Sequence, residues 1–150
     1  MRTFESAAEL VSAAGADLGP SDWHRVTQKL IDDFADVTGD HQWIHVDRAR
    51  AAAGPFGTTV AHGYLTLALI PIMLRETVRV DGAQMAMNYG LERVRFPAPL
   101  PAESEIRAEV RIASVTADGN RIRMTSEITV AARGAPKPCC VAEVVTLFIF

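Results

Sequence analysis

One stretch limits the fold more than any other. From Gly63 the chain places Leu65, Leu67, Leu69, Ile70, Ile72, Met73 and Leu74 on all sides of a helix rather than along one stripe. A helix that is apolar all round needs a core around it. The segment Gly63–Val80 holds Pro71 and carries charge from Arg75 onward, so it does not read as a membrane span. After Asp81-Gly82 the period changes. Met85–Phe96, Glu105–Val115, Arg121–Ala131 and Cys139–Phe148 read as four strands, with Asp118-Gly119-Asn120 as a hairpin turn. Ile122, Met124, Ser126, Ile128 and Val130 alternate with Arg123, Thr125, Glu127 and Thr129, which gives one dry face and one wet face. Consecutive strands joined by short turns exclude a doubly wound parallel sheet. The reading is α+β: a long buried helix against an antiparallel sheet.

Upstream, Gln28–Val37 predicts an amphipathic helix. Leu30, Ile31, Phe34 and Val37 form its apolar face, Thr27 its N-cap and Gly39 its stop. A short strand is expected within Ser21–Val26 and a short helix over Asp47–Ala53, before Gly54-Pro55-Phe56-Gly57 breaks the chain. Residues 1–20 read as a peripheral segment, with a helix near Ser6–Ala14 and then a loop to Pro20. A chain of 150 residues without a Pro/Gly/Ser-rich linker reads as one domain, 1–150. Its formal charge of −3, from 15 basic and 18 acidic residues, excludes nucleic-acid binding driven by bulk basic charge. Cys139 and Cys140 are adjacent, and no Cys/His ligand spacing exists, so neither a disulfide scaffold nor a structural metal is expected. With no membrane span and no signal peptide read, the expected compartment is the cytoplasm.

The densest polar cluster is Thr38-Gly39-Asp40-His41-Gln42-Trp43-Ile44-His45-Val46-Asp47, just past a helix stop. Asp and His together supply a proton acceptor and donor near neutral pH. The competing reading is structural, with Asp40 as a turn residue and His45 as a packed or surface histidine. A second cluster is Ala61-His62-Gly63, where free N–H groups at a helix start face outward and glycine permits close approach. It reads equally as a plain helix start. Arg93 with Arg95, and Arg121 with Arg123, share strand faces and are read as solvated charge or as anion holders. Trp43 is read as a pocket wall or as an anchor of its loop. His24 and His41 are read as structural or exposed. No nucleophile elbow, GxGxxG or P-loop is present.

At these motifs the sequence resembles a known family. Phe34–Asp47 looks like the hydratase motif of the MaoC-like (R)-specific enoyl-CoA hydratases. Gly57-Thr58-Thr59-Val60-Ala61-His62-Gly63-Tyr64-Leu65 resembles that family's second signature, and Val94-Arg95-Phe96-Pro97-Ala98-Pro99-Leu100 its usual strand end. The likeness runs from about Ser21 to the C-terminus and is greatest to single-domain hydratases of mycobacteria and related actinobacteria. It implies the hot-dog fold, a long central helix wrapped by an antiparallel sheet, in a homodimer with the acyl pocket along the subunit interface. It implies reversible hydration of trans-2-enoyl-CoA to (R)-3-hydroxyacyl-CoA. Asp40 and His45 would then be catalytic, the Gly63 N–H the oxyanion donor, and Gln42, Trp43 and His62 substrate contacts. No metal and no redox cofactor are implied, since coenzyme A belongs to the substrate.

The sequence departs from the family pattern in two places. Gln42-Trp43 stands where the family has Asn-Pro, and Pro71 stands where some hydratases carry a serine that orients the Asp; Thr66 is a candidate substitute. The partial negative charge at the end of helix Gln28–Val37 is expected to favour a protonated His45. Two other functions stay open. Hot-dog thioesterases place a carboxylate on the central helix, and Gly63–Leu74 has none. A non-catalytic acyl-binding subunit would have lost the Asp/His pair, which this chain keeps.

Overall fold

The computed structural model describes residues 1–150. In chain order it comprises β1 (Arg2–Phe4), α1 (Ala7–Ser12), β2 (Asp17–Pro20), β3 (His24–Val26), α2 (Gln28–Thr38), α3 (Trp43–Val46), α4 (Arg48–Ala52), α5 (Gly63–Ala68), α6 (Ile70–Thr77), β4 (Val78–Val80), β5 (Met85–Arg95), β6 (Ser104–Asp118), β7 (Arg121–Ala132) and β8 (Cys140–Ile149). Six strands make one antiparallel sheet in the order β2-β6-β7-β8-β5, with β3 also on β6. A parallel pair, β1 with β4, lies apart from it. The four long strands fall where the alternation places them, and the β6–β7 hairpin turns at Gly119 with φ +58°.

The apolar helix lies on the dry face of this sheet. Leu65, Ile70 and Met73 pack with Ile106, Ala108, Val110, Ile128, Val130, Ala142 and Val144 in the larger core. This is the hot-dog arrangement, with two corrections. The expected helix Gly63–Val80 is broken at Leu69, and its last three residues are the strand β4. Pro71 has no N–H to give to the preceding turn, so the ladder lapses there and restarts with proline in the first turn of α6. Nor is the helix enclosed on all sides, because Tyr64 is 71% and Ile72 39% exposed.

Helix α2 begins and ends as its residues dictate. The Thr27 hydroxyl accepts the Leu30 N–H at 3.2 Å, and Gly39 closes the helix at φ +76°, its N–H donating to the Ala35 carbonyl. Its buried stripe is Gln28, Ile31 and Ala35. Val37, expected on the apolar face, is instead 85% exposed. It lies about 200° around the helix from Ala35, away from the sheet.

Residues 1–20, expected at the periphery, supply a second core. Phe4, Leu10 and Ala13 pack with Val78, Ile112, Ile122, Met124 and Phe148. Asp17–Pro20, read as loop, is strand β2 on β6. The sequence pattern is too short there to show it, and the pairing partner lies some ninety positions away. Cys139 and Cys140 are free, buried thiols. Burial pushes them up to about 11 and about 12, so they stay protonated. No helix is long and apolar enough to cross a membrane.

Phe4 is 2% exposed. Phe4→Ala should therefore cost about 3–5 kcal/mol in urea unfolding, as for an aromatic removed from a core. A change within about 0.5 kcal/mol would return the segment to the periphery.

Candidate active site

The polar cluster is built where α2 ends. Gly39 turns the chain, and the Asp40 carboxylate accepts the Gln42 N–H at 3.4 Å, which starts the short helix α3. Asp47 caps α4 by accepting the Arg50 N–H at 2.9 Å. A second segment, Thr59–His62, runs alongside. The Val60 N–H donates to the Ile44 carbonyl at 3.0 Å, and the Ala61 N–H to the Leu100 carbonyl at 2.8 Å. The segment is thus held between α3 and the Phe96–Leu100 loop.

This clamp brings His45 and His62 together. His45 Nδ1–H donates to the Val60 carbonyl at 2.6 Å, and His62 Nε2–H donates to the Asp40 carbonyl at 2.9 Å. A carbonyl can only accept, so each bond assigns the ring proton. The rings stack with centroids 3.7 Å apart and 23° between planes. Phe34 lies tilted against His62 at 5.1 Å. His45 is 7% and His62 3% exposed, whereas Asp40 lies open to solvent. Asp40, His45 and His62 each bring one ligand-type atom to within 4.8 Å of the others. A water can bridge two groups at that spacing with ordinary hydrogen bonds. A single ion fits less well. Lone pairs lie in the ring planes, and the planes of stacked imidazoles run side by side rather than converging.

Burial pushes the His45 pKa below its ordinary value, and the neighbouring His62 adds to this, against the Val60 bond and the Asp40 charge. His45 is therefore neutral at pH 7, with Nδ1 protonated and Nε2 carrying the lone pair. The expectation that a helix end would favour a protonated His45 is overturned: desolvation outweighs a dipole that fades within a turn.

The other sequence candidates separate. Gly63 opens α5, where its N–H has no carbonyl a turn behind it. A Cβ there would meet the Phe96 ring at 2.7 Å, so only glycine fits. Gln42 is exposed, and its side chain makes no cap. Trp43 is half-buried under the Arg50 guanidinium, 4.4 Å from its ring centre. Thr66 is buried but makes no hydrogen bond to Asp40, and Pro71 lines a different cavity. His41 is exposed and pairs with Asp36, which raises its pKa. His24 pairs with Glu76 at 3.0 Å. Arg93 faces Glu143, and Arg123 lies over the Tyr89 ring. The sequence reading missed Gln28, Thr59 and the Val60 carbonyl. Only Gln28 left a signal, as the one amide on an apolar helix face.

The model of the MaoC-like domain matches residues 9–133. The chain belongs to the MaoC-like dehydratase family. It is 52% identical to 3-hydroxyacyl-thioester dehydratase Z of Mycobacterium tuberculosis, across 99% of both chains. Among solved structures, the monoamine oxidase regulatory protein of Archaeoglobus superposes with a TM-score of 0.79 at 22% identity, covering 99% of this chain and 96% of that one. The (R)-hydratase of A. caviae gives 0.70 at 22% identity, covering 89% and 94%. These structures share the fold. The matched residues include both motifs and the helices α5 and α6 that follow them.

The depressed His45 value has a consequence for stability. Unfolding returns the ring to its ordinary 6.5, so below that pH the unfolded chain takes up a proton that the folded one refuses. The contribution of His45 is complete above pH 6.5 and is lost as pH falls through the lower folded value. Urea midpoints should drop between pH 8 and pH 5, and drop less in His45→Gln. Equal drops in both proteins would count against a buried neutral ring.

Proposed function

We propose that this chain is an (R)-specific enoyl-CoA hydratase, acting reversibly as a 3-hydroxyacyl-thioester dehydratase. The observation that carries the reading is the gathering of Asp40, His45 and His62, each with a ligand-type atom within 4.8 Å of the others, just before the helix start at Gly63. One water is held by both side chains. As its oxygen adds to C3, His45 Nε2 takes the proton and Asp40 balances the imidazolium that forms. Electron density moves to the thioester oxygen, which the Gly63 N–H receives; one such donor is worth about 2.7–4 kcal/mol of barrier. The imidazolium then returns a proton to C2 on the same face. His62 holds Asp40 and stacks under His45, while Gln42 and Trp43 border the approach of the thioester. No metal and no redox cofactor enter these steps, and coenzyme A arrives as part of the substrate. The same reading takes residues 1–150 as one catalytic unit working in the cytoplasm.

The thioesterase alternative needs a free carboxylate on the central helix. Glu76 is the carboxylate of α5–α6, and it is engaged by His24 and by the Asp22 N–H. Crotonyl-CoA should therefore lose its conjugated absorbance without releasing thiol, in the presence of EDTA as in its absence. Asp40→Asn and His45→Gln should each lose about 10²–10⁴-fold while staying folded by circular dichroism. The double variant should be little worse than either single, because the two groups hold one water. A folded single variant with near wild-type activity sinks the assignment, and thiol release moves the chain to hydrolysis.

We also propose a homodimer paired along β5. This edge strand is open on both faces, with Met85 53%, Tyr89 57% and Leu91 46% exposed, and Phe96 just beyond it. Such an edge invites a partner strand. Met85, Ala86 and Asn88 of β5 also line a cavity of about 530 Å³ with Pro71, Leu74 and Phe148, which a second copy along β5 would cover. Light scattering should give twice 16.3 kDa, and Leu91→Lys should shift it toward the monomer. A wild-type monomer that stays active on dilution overturns the pairing.

A further inference from the structure

The side-chain amide of Gln28 bridges two segments of the site, the His45 carbonyl and the Thr59 hydroxyl. Gln28 is the first residue of α2 and is 7% exposed. Its Nε2 donates to the His45 carbonyl at 2.8 Å and to Asp32 Oδ1 at 2.7 Å. Its Oε1 accepts the hydroxyl of Thr59, itself 3% exposed. Its backbone N–H donates to Glu103 Oε1 at 2.9 Å. The His45 carbonyl can only accept and the Thr59 hydroxyl can turn to donate, so the amide has one orientation. An apolar side chain would fill the same space without the cost of burying an amide.

The two contacts of this amide converge on one ring. One holds the backbone of His45 directly. The other holds Thr59, the residue before Val60, whose carbonyl receives the His45 Nδ1–H. We propose that Gln28 is a positioning residue for the hydration reaction. It sets where His45 stands and, through Thr59, how far its ring is turned. It does not touch substrate, and the proposal rests on the reading of His45 as the base.

The test compares kcat and KM for crotonyl-CoA in Gln28→Leu, Thr59→Val and Gln28→Glu, with His45→Gln alongside. A misplacement of about 1 Å costs about 10²-fold, so Gln28→Leu should lose that much in kcat, with KM changed by less than about twofold. Thr59→Val should lose less, and the double variant should match Gln28→Leu, because both act through one chain of contacts. Gln28→Glu adds a readout that a purely structural role would not move. Its acid form can still donate to the His45 carbonyl. Its carboxylate would face that carbonyl and Asp32, with Glu103 on the backbone N–H of the same residue, Arg48 already 3.6 Å from Asp32 and Arg25 3.0 Å from Glu103. The activity of Gln28→Glu relative to wild type should therefore rise as pH falls from 8 to 5.5.

Folded Gln28→Leu and Thr59→Val enzymes with full kcat overturn the proposal, as does a Gln28→Glu enzyme that tracks wild type at every pH. If Gln28→Leu does not fold, the other two variants decide. If His45→Gln is fully active, the reading of His45 fails first and this proposal with it.

Discussion

The carbonyl of Val60 governs the site. It takes the Nδ1–H of a histidine fifteen residues earlier in the chain, and so leaves Nε2 as the nitrogen with the lone pair. Everything around it keeps that carbonyl in place. Ile44 holds the Val60 N–H, Leu100 holds the next residue and Thr59 reaches back to Gln28. The short helix and the segment before α5 are therefore one hydrogen-bonded body, hung between the end of α2 and the loop that precedes β6. Under the proposed mechanism, a ring fixed in this way would need no reorganisation when a proton arrives, which is where a positioned base gains over one in water.

Charge within that body is set by burial more than by neighbours. His45 has an aspartate nearby and is still driven toward the neutral form, because taking a charged ring out of water costs more than a partly solvated carboxylate returns. His41, four residues earlier, goes the other way: it is exposed, and Asp36 stabilises its cation. The two histidines lie in one motif and differ in burial and partner: His41 is exposed beside Asp36, His45 is buried on the Val60 carbonyl. The same balance keeps the adjacent cysteines as inert thiols in the core.

Packing and chemistry meet at Gly63 and Phe96. The ring of Phe96 lies where a Cβ on residue 63 would be, so close approach at the start of α5 leaves room only for backbone. Phe96 in turn stands edge-on to the exposed Tyr64, next to the open strand β5. The apolar surface left uncovered in one chain thus adjoins the site rather than lying at random. That adjacency supports the proposed pairing along β5.

Much of this was legible in the residues. The alternation Ile122 to Val130 required a sheet with one dry face, and the leucines after Gly63 required something to bury them. Thr27 and Gly39 marked the limits of α2 because cap and stop are local chemistry. The motif around Asp40 and His45 could be quoted from the sequence, but its two readings, catalytic or structural, could not be parted there. Other points depended on tertiary structure. Leu69 ends a helix that composition alone would continue, because Pro71 removes a donor. Phe4 and Leu10 enter a core with Ile112, Ile122, Met124 and Phe148, all more than a hundred positions away. The tautomer of His45, its neutral form and the grip of Gln28 depend on carbonyls and hydroxyls from distant segments. Sequence spacing carries only local periodicity; a ring's proton is assigned by what stands opposite it in space.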